Sequence, residues 1–107
     1  TFLVLFNPTC GSCIALGNTF KENREAFKDY NVVFIAAHGM GDYLAYFFER
    51  NQLDEVEEFY VGLDESNLAL DVNIRDGMPQ LNIYKKGWVL ERIYTGSVPF
   101  EYIKKHF

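Results

Sequence analysis

Cysteine is scarce in this chain: two occur in 107 residues, at Cys10 and Cys13. So few exclude a disulfide scaffold, and no second pair exists to complete a four-cysteine metal site. Long apolar runs are also missing. Runs such as Phe2–Phe6 and Val32–Ala37 are strand-length and fall far short of the ~20 residues a membrane helix needs. Basic residues are in the minority, 10 Lys and Arg against 15 Asp and Glu, for a formal net charge of −5. That balance argues against nucleic acid or an anionic membrane surface as a partner. No repeat, low-complexity tract or linker interrupts the chain. What is present is an ordinary soluble composition, 49% apolar and 23% charged. A chain of this size buries roughly 65% of its unfolded surface, enough for one real core, so residues 1–107 read as a single domain. It opens at Thr1, without an initiator Met, directly on an apolar strand. The expectation is a domain cut from a longer chain or a processed form.

Phe2–Phe6 is a continuous apolar run that breaks at Asn7-Pro8, as expected of a strand buried on both faces. Apolar residues then recur at Cys13, Leu16, Gly17, Phe20 and Phe27, a spacing that predicts a helix with one buried face ending near Lys28–Tyr30. Val32–Ala37 is a second buried strand. The first forty residues therefore read as a βαβ unit with parallel strands and a right-handed crossover. Gly39–Asp42 turns into a helix capped by Asp42 and carrying Leu44, Phe47 and Phe48 on one face. Leu53–Glu58 reads as a loop or short helical turn whose acidic run Asp54–Glu58 is a solvated face, Phe59–Leu63 as a strand end, Ser66–Val72 as a short helix and Asn73–Met78 as a loop. Alternation through Leu81–Ile83 and Val89–Ile93, around a turn at Lys86-Gly87, predicts an antiparallel hairpin. Gly96-Ser97 leads into a terminal helix, with Ser97 as its cap and Pro99 in its first turn.

The chemistry concentrates in Pro8-Thr9-Cys10-Gly11-Ser12-Cys13. A C-x-x-C pair at the mouth of a helix, directly after a buried strand, puts both sulfurs within one turn, close enough to form a disulfide. Cys10 at the helix N-terminus meets unpaired amides and the positive end of the helix dipole, which favour a thiolate. Cys13, a turn further in, is more shielded. An exposed thiolate beside a buried thiol is what disulfide exchange requires: Cys10 attacks, Cys13 resolves. Against this stand a zinc knuckle, which lacks a second ligand pair because His38 and His106 stand alone, and an inert buried pair. His38, at the C-terminal end of a parallel strand, reads as a loop histidine, though ligands of α/β sheets gather at that edge.

These residues resemble the thioredoxin superfamily. Leu63-Asp64-Glu65-Ser66, Asp76-Gly77-Met78-Pro79, the hairpin and Gly96 resemble its redoxin branch of membrane-tethered or secreted bacterial thiol–disulfide oxidoreductases. The resemblance implies an α/β fold of three layers, α/β/α, with a central mixed sheet of about four strands. It implies that Pro79 is the family's cis-proline, that Met78 presents its backbone beside Cys10, and that Thr9, Gly11 and Ser12 border the substrate site. It also implies protein disulfide substrates, a thiol or disulfide electron partner, no cofactor and no metal. A monomer outside the cytoplasm, periplasmic or membrane-tethered, is expected. Three positions depart from the family. Thr9 replaces the usual Trp. Val4 stands where thioredoxins proper bury an Asp, so proton transfer to or from Cys13 must use water or another group, for which Glu65 is one candidate. Gly11-Ser12 replaces Gly-Pro and holds no cation, which places the pair nearer a reductant than a strong oxidant. Three alternatives stay open: a redoxin-type peroxidase using Cys10 with Pro8 and Thr9, a copper-binding module of the same fold, and a partner-binding module with vestigial cysteines.

Overall fold

The computed structural model describes residues 1–66 and 77–107. The expected helix at Ser66–Val72 and the loop that follows it therefore lie almost wholly outside the described residues. The chain opens with β1 (Phe2–Phe6), α1 (Gly11–Glu22) and β2 (Val32–Ala36). After these come α2 (Leu44–Asn51) and β3 (Phe59–Leu63). A hairpin of β4 (Gln80–Lys85) and β5 (Val89–Thr95) precedes a short terminal helix, α3 (Phe100–Ile103). All five strands form one sheet in the order β3-β2-β1-β4-β5. β1 pairs parallel with β2, and β2 with β3, whereas β4 runs antiparallel to both β1 and β5. Among the described residues the sheet is thus mixed, as expected, but holds five strands rather than about four. The extra one is Phe59–Leu63, a full strand because its five residues pair in register with Val32–Ala36.

Register explains the core. Phe2, Val4 and Phe6 lie opposite Val32, Phe34 and Ala36 on one side of β1, and Phe2 and Val4 face Ile83 and Leu81 on the other. Alternate residues of a strand share a face, so these side chains form one apolar surface. Leu16 and Phe20 of α1, Phe47 of α2, Leu53 and Ile103 cover it, all 0% exposed. Phenylalanine dominates this layer. The Phe20 and Phe27 rings stack at 4.5 Å, Phe6 stacks on Phe47 at 4.4 Å, and Phe2 meets Phe27 edge-on at 5.2 Å. The opposite face carries Leu5 beside Gln80, both buried. Along it Gln80 Nε2 donates to Asn82 Oδ1 at 2.9 Å, and Asn82 Nδ2 to the Tyr84 hydroxyl at 3.1 Å.

Three helix boundaries differ from expectation. α1 stops at Glu22 because Asn23 takes up its end: the Asn23 backbone N–H and Nδ2 both donate to Thr19 O, at 3.3 and 2.8 Å. A separate 3-10 turn, Arg24–Phe27, then carries Phe27 into the core. Asp42 lies inside a 3-10 turn, Gly41–Tyr43, and does not cap α2, which follows Tyr43 with no side-chain cap. Pro99 has an extended ψ of 148°, so it precedes α3 instead of opening its first turn, and Ser97 lies too early to cap it. The hairpin turn falls where expected. It is closed by Trp88 N–H to Lys85 O at 3.1 Å and includes Gly87 at φ 85°, a conformation glycine adopts without steric cost.

Candidate active site

β1 delivers the chain to a tight turn at the sheet's C-terminal edge. Cys10 N–H donates to Asn7 O at 3.0 Å, closing Asn7-Pro8-Thr9-Cys10. Asn at the first position and Pro at the second are what such a turn favours. The Asn7 side chain reinforces it, because Oδ1 accepts the Thr9 N–H at 3.0 Å and the Thr9 hydroxyl at 2.8 Å. Cys10 is then the N-cap of α1, with extended φ −81° and ψ 126°. Its Sγ accepts the Cys13 N–H at 3.4 Å. A sulfur thus occupies the place a Ser or Asp oxygen takes at other helix starts. That amide donates toward the atom that carries the charge in a thiolate.

The two sulfurs have different surroundings. Both are free thiols, Cys10 half-buried and Cys13 buried at 1% exposure. Burial pushes the Cys13 thiol up to about 12, against a partial pull down from the Asn7 N–H, which donates to its Sγ at 3.4 Å. Neutral Cys13 is therefore the resting form, and ionisation costs it most where it is driest. Gly11, Ser12 and Thr9 are exposed, and a Cβ placed on Gly11 would meet nothing within 4 Å, so the approach to Cys10 is open.

A distant segment completes the site. The Met78–Pro79 peptide bond is cis, and the Met78 carbonyl lies 3.9 Å from Cys10 Sγ, which donates to it. Pro79 is buried and its carbonyl accepts the Gly96 N–H at 3.0 Å, which ties the entry of β4 to the exit of β5. Leu5 of β1 pairs with Gln80, so sheet register brings Met78 to the cysteine turn.

Other candidates fall elsewhere. His38 Nδ1 is 2.7 Å from Asp64 O, a bridge between the loops after β2 and β3. His106 lies between Glu91 Oε1 at 3.1 Å and the Tyr94 hydroxyl at 3.0 Å, and so fastens the terminal turn onto β5. Glu65 is exposed on the turn after β3, where its N–H donates to Leu63 O. Val4, at 0% exposure, is part of the apolar core cluster that also includes Cys13. The residue that sequence reading passed over is Asn7, treated only as a strand break. The Asn-Pro dipeptide is a turn-initiating signal and could have marked it.

No family model matches the sequence, and no curated protein does. Solved structures do. StoA from Bacillus subtilis superposes with a TM-score of 0.78 at 17% identity, over 98% of this chain and 79% of that one. A secreted Mycobacterium tuberculosis disulfide oxidoreductase homologous to E. coli DsbE gives 0.79 at 16% identity, over 98% and 77%. A thiol-disulfide isomerase from Corynebacterium glutamicum gives 0.67 at 16% identity, over 97% and 75%. The likeness is one of fold, and with the five-strand mixed sheet and its flanking helices it makes this fold thioredoxin-like.

Proposed function

We propose that this chain is a thiol–disulfide oxidoreductase acting on protein disulfides, with Cys10 as nucleophile and Cys13 as resolving thiol. The observation that carries the reading is the asymmetry of the pair: a reachable helix-capping Cys10, with an amide on its sulfur, next to a buried Cys13 held neutral. The Cys10 thiolate attacks one sulfur of a substrate disulfide. A Cys10–substrate disulfide forms, and the other substrate sulfur leaves as a thiolate that takes a proton from solvent. Cys13, losing its proton, then attacks Cys10 Sγ. The mixed disulfide breaks, the Cys10–Cys13 disulfide forms, and the second substrate thiol departs. The pair has given up two electrons and the substrate has gained two. A thiol reductant returns the pair to its dithiol form.

Met78 offers its carbonyl beside the attacking sulfur, where an extended substrate segment would pair its own N–H. Thr9, Gly11 and Ser12 form the open rim. The absence of a cation between the cysteines supports the reducing direction. An extracytoplasmic setting is supported by a structural neighbour described as secreted. Among the described residues, no helix is long and apolar enough to cross a membrane.

Insulin reduction in the presence of a thiol reductant tests the reading. The unmodified chain should accelerate turnover, and Cys10→Ser should fall to the rate of the reductant alone. Cys13→Ser should accumulate mixed disulfides visible on non-reducing gels. Equal turnover by the unmodified chain and Cys10→Ser would overturn the assignment.

A further inference from the structure

Resolution requires the driest sulfur of the site to carry a negative charge briefly. In this chain β1 carries no carboxylate, and Val4, 0% exposed, belongs to the same apolar core cluster as Cys13. Among the described residues, the hydrogen-bond donor to Cys13 Sγ is the Asn7 backbone N–H, at 3.4 Å. A backbone donor can be aimed only by holding its peptide, and the Asn7 side chain does this. Its single oxygen collects two donors from Thr9, N–H at 3.0 Å and hydroxyl at 2.8 Å, while its own carbonyl receives the Cys10 N–H at 3.0 Å. Residue 7 is thereby fixed at three points on its C-terminal side, all within the loop that leads into Cys10. On its N-terminal side it is anchored by β1, whose last residue, Phe6, pairs with Ala36. Asn suits this position because its side-chain carbonyl can cap an N–H two residues on, and Pro8 presets the turn between them.

We infer that Asn7 is a positioning residue for the resolving half-reaction: its side chain locks the Asn7–Cys10 turn so that the Asn7 N–H stays directed at the Cys13 thiolate as it attacks Cys10. This rests on the oxidoreductase reading above and adds a division of labour to it. Cys10 is served by the helix N-terminus and the Cys13 N–H, and Cys13 by the loop before the helix. The same N–H already pulls the buried thiol down against its apolar surroundings, consistent with the geometry.

The two half-reactions separate with 5,5′-dithiobis(2-nitrobenzoate) and the reduced chain. Attack by Cys10 releases one chromophoric thiolate, and resolution by Cys13 releases the second, so the two appear as successive phases. Asn7→Ala keeps the backbone N–H and removes the acceptor that holds it. Its second phase should slow about 10-fold, the scale of one hydrogen bond to a charged group. The pH midpoint of that phase should also rise. Asn7→Ser, which keeps a side-chain oxygen able to cap the turn, should recover most of the rate. Thr9→Val, which loses one of the two bonds, should slow the phase less than Asn7→Ala does. A merely structural role would lower stability without moving the pH midpoint. An unchanged midpoint and second phase in Asn7→Ala overturns the inference alone. If Asn7→Ala does not fold, an unchanged second phase in Thr9→Val overturns it. Absence of a second phase in the unmodified chain overturns the oxidoreductase reading together with this one.

Discussion

Cys13 shows how much one buried side chain can set. Its thiol is raised from 9.0 to about 12, first by burial, because the apolar interior disfavours a thiolate. The folded state therefore holds this proton more tightly than the unfolded chain does. The stabilisation linked to it is fully present below pH 9.0 and is lost as pH rises toward 12. The reduced protein should accordingly show a urea midpoint that falls through that window. Cys13→Ser, which lacks this one thiol, should show a shallower fall. Parallel slopes for the two proteins would contradict the assigned environment. The same burial leaves Cys13 protonated near neutral pH, while Cys10, half-buried at the helix cap, is the more accessible sulfur.

Between elements, α1 packs tightly against α2 at one glycine. Gly17 lies there against Asn51 and Phe47. A Cβ at residue 17 would stand 2.5 Å from Asn51 Nδ2 and 3.2 Å from the Phe47 ring. Asn51 is 0% exposed, and its Oδ1 holds the Leu53 N–H at 3.0 Å, so the amide cannot swing aside cheaply. Its Nδ2 has no hydrogen-bond partner among the described residues. Alanine normally favours a helix over glycine by about 1 kcal/mol, but overpacking a tight contact costs about 1–3 kcal/mol. Gly17→Ala should therefore destabilise the protein by about 1 kcal/mol net, read from chemical denaturation. A gain in stability would show that α2 yields easily. Because Cys10 caps α1, a displaced α1 would also disturb the cysteine pair.

At the scale of the whole molecule, an aromatic layer joins both ends of the chain. Phe27 makes ring contacts with Phe2, Phe20, Phe59, Phe100 and Phe107, with centroids 4.5–6.1 Å apart. It thus links β1, α1, β3, α3 and the C-terminal residue. A buried Phe→Ala change costs about 3–5 kcal/mol, a large share of the ~5–15 kcal/mol that holds a small domain together. Phe27→Ala should lower the denaturation midpoint by a corresponding amount, and its effect should extend to the packing of α3. A loss under about 1 kcal/mol would mean the rings crowd together without stabilising.

The local features were legible in the sequence because local spacing determines them. A five-residue apolar run makes a buried strand, a C-x-x-C spacing puts two sulfurs on one helical turn, and Lys86-Gly87 marks a hairpin turn. Where local rules competed, the reading failed. Phe27 fits the period of α1, yet Asn23 ends that helix earlier by capturing Thr19 O. Asp42 and Ser97 have capping chemistry, but the backbone turns at other residues. The rest needed tertiary structure. Phe59–Leu63 became a fifth strand only because β2 offered a parallel edge in register. Gln80 and Asn82 are polar yet buried, because β4 lies inside the sheet between β1 and β5. The site itself joins contacts of very different range. Asn7 and Cys13 are six residues apart, whereas Cys10 and the Met78 carbonyl are separated by 68. Residue spacing along the chain sets which atoms share a turn. Which distant backbone faces a sulfur is decided by strand register, because β1 and β4 must pair before Met78 can reach Cys10.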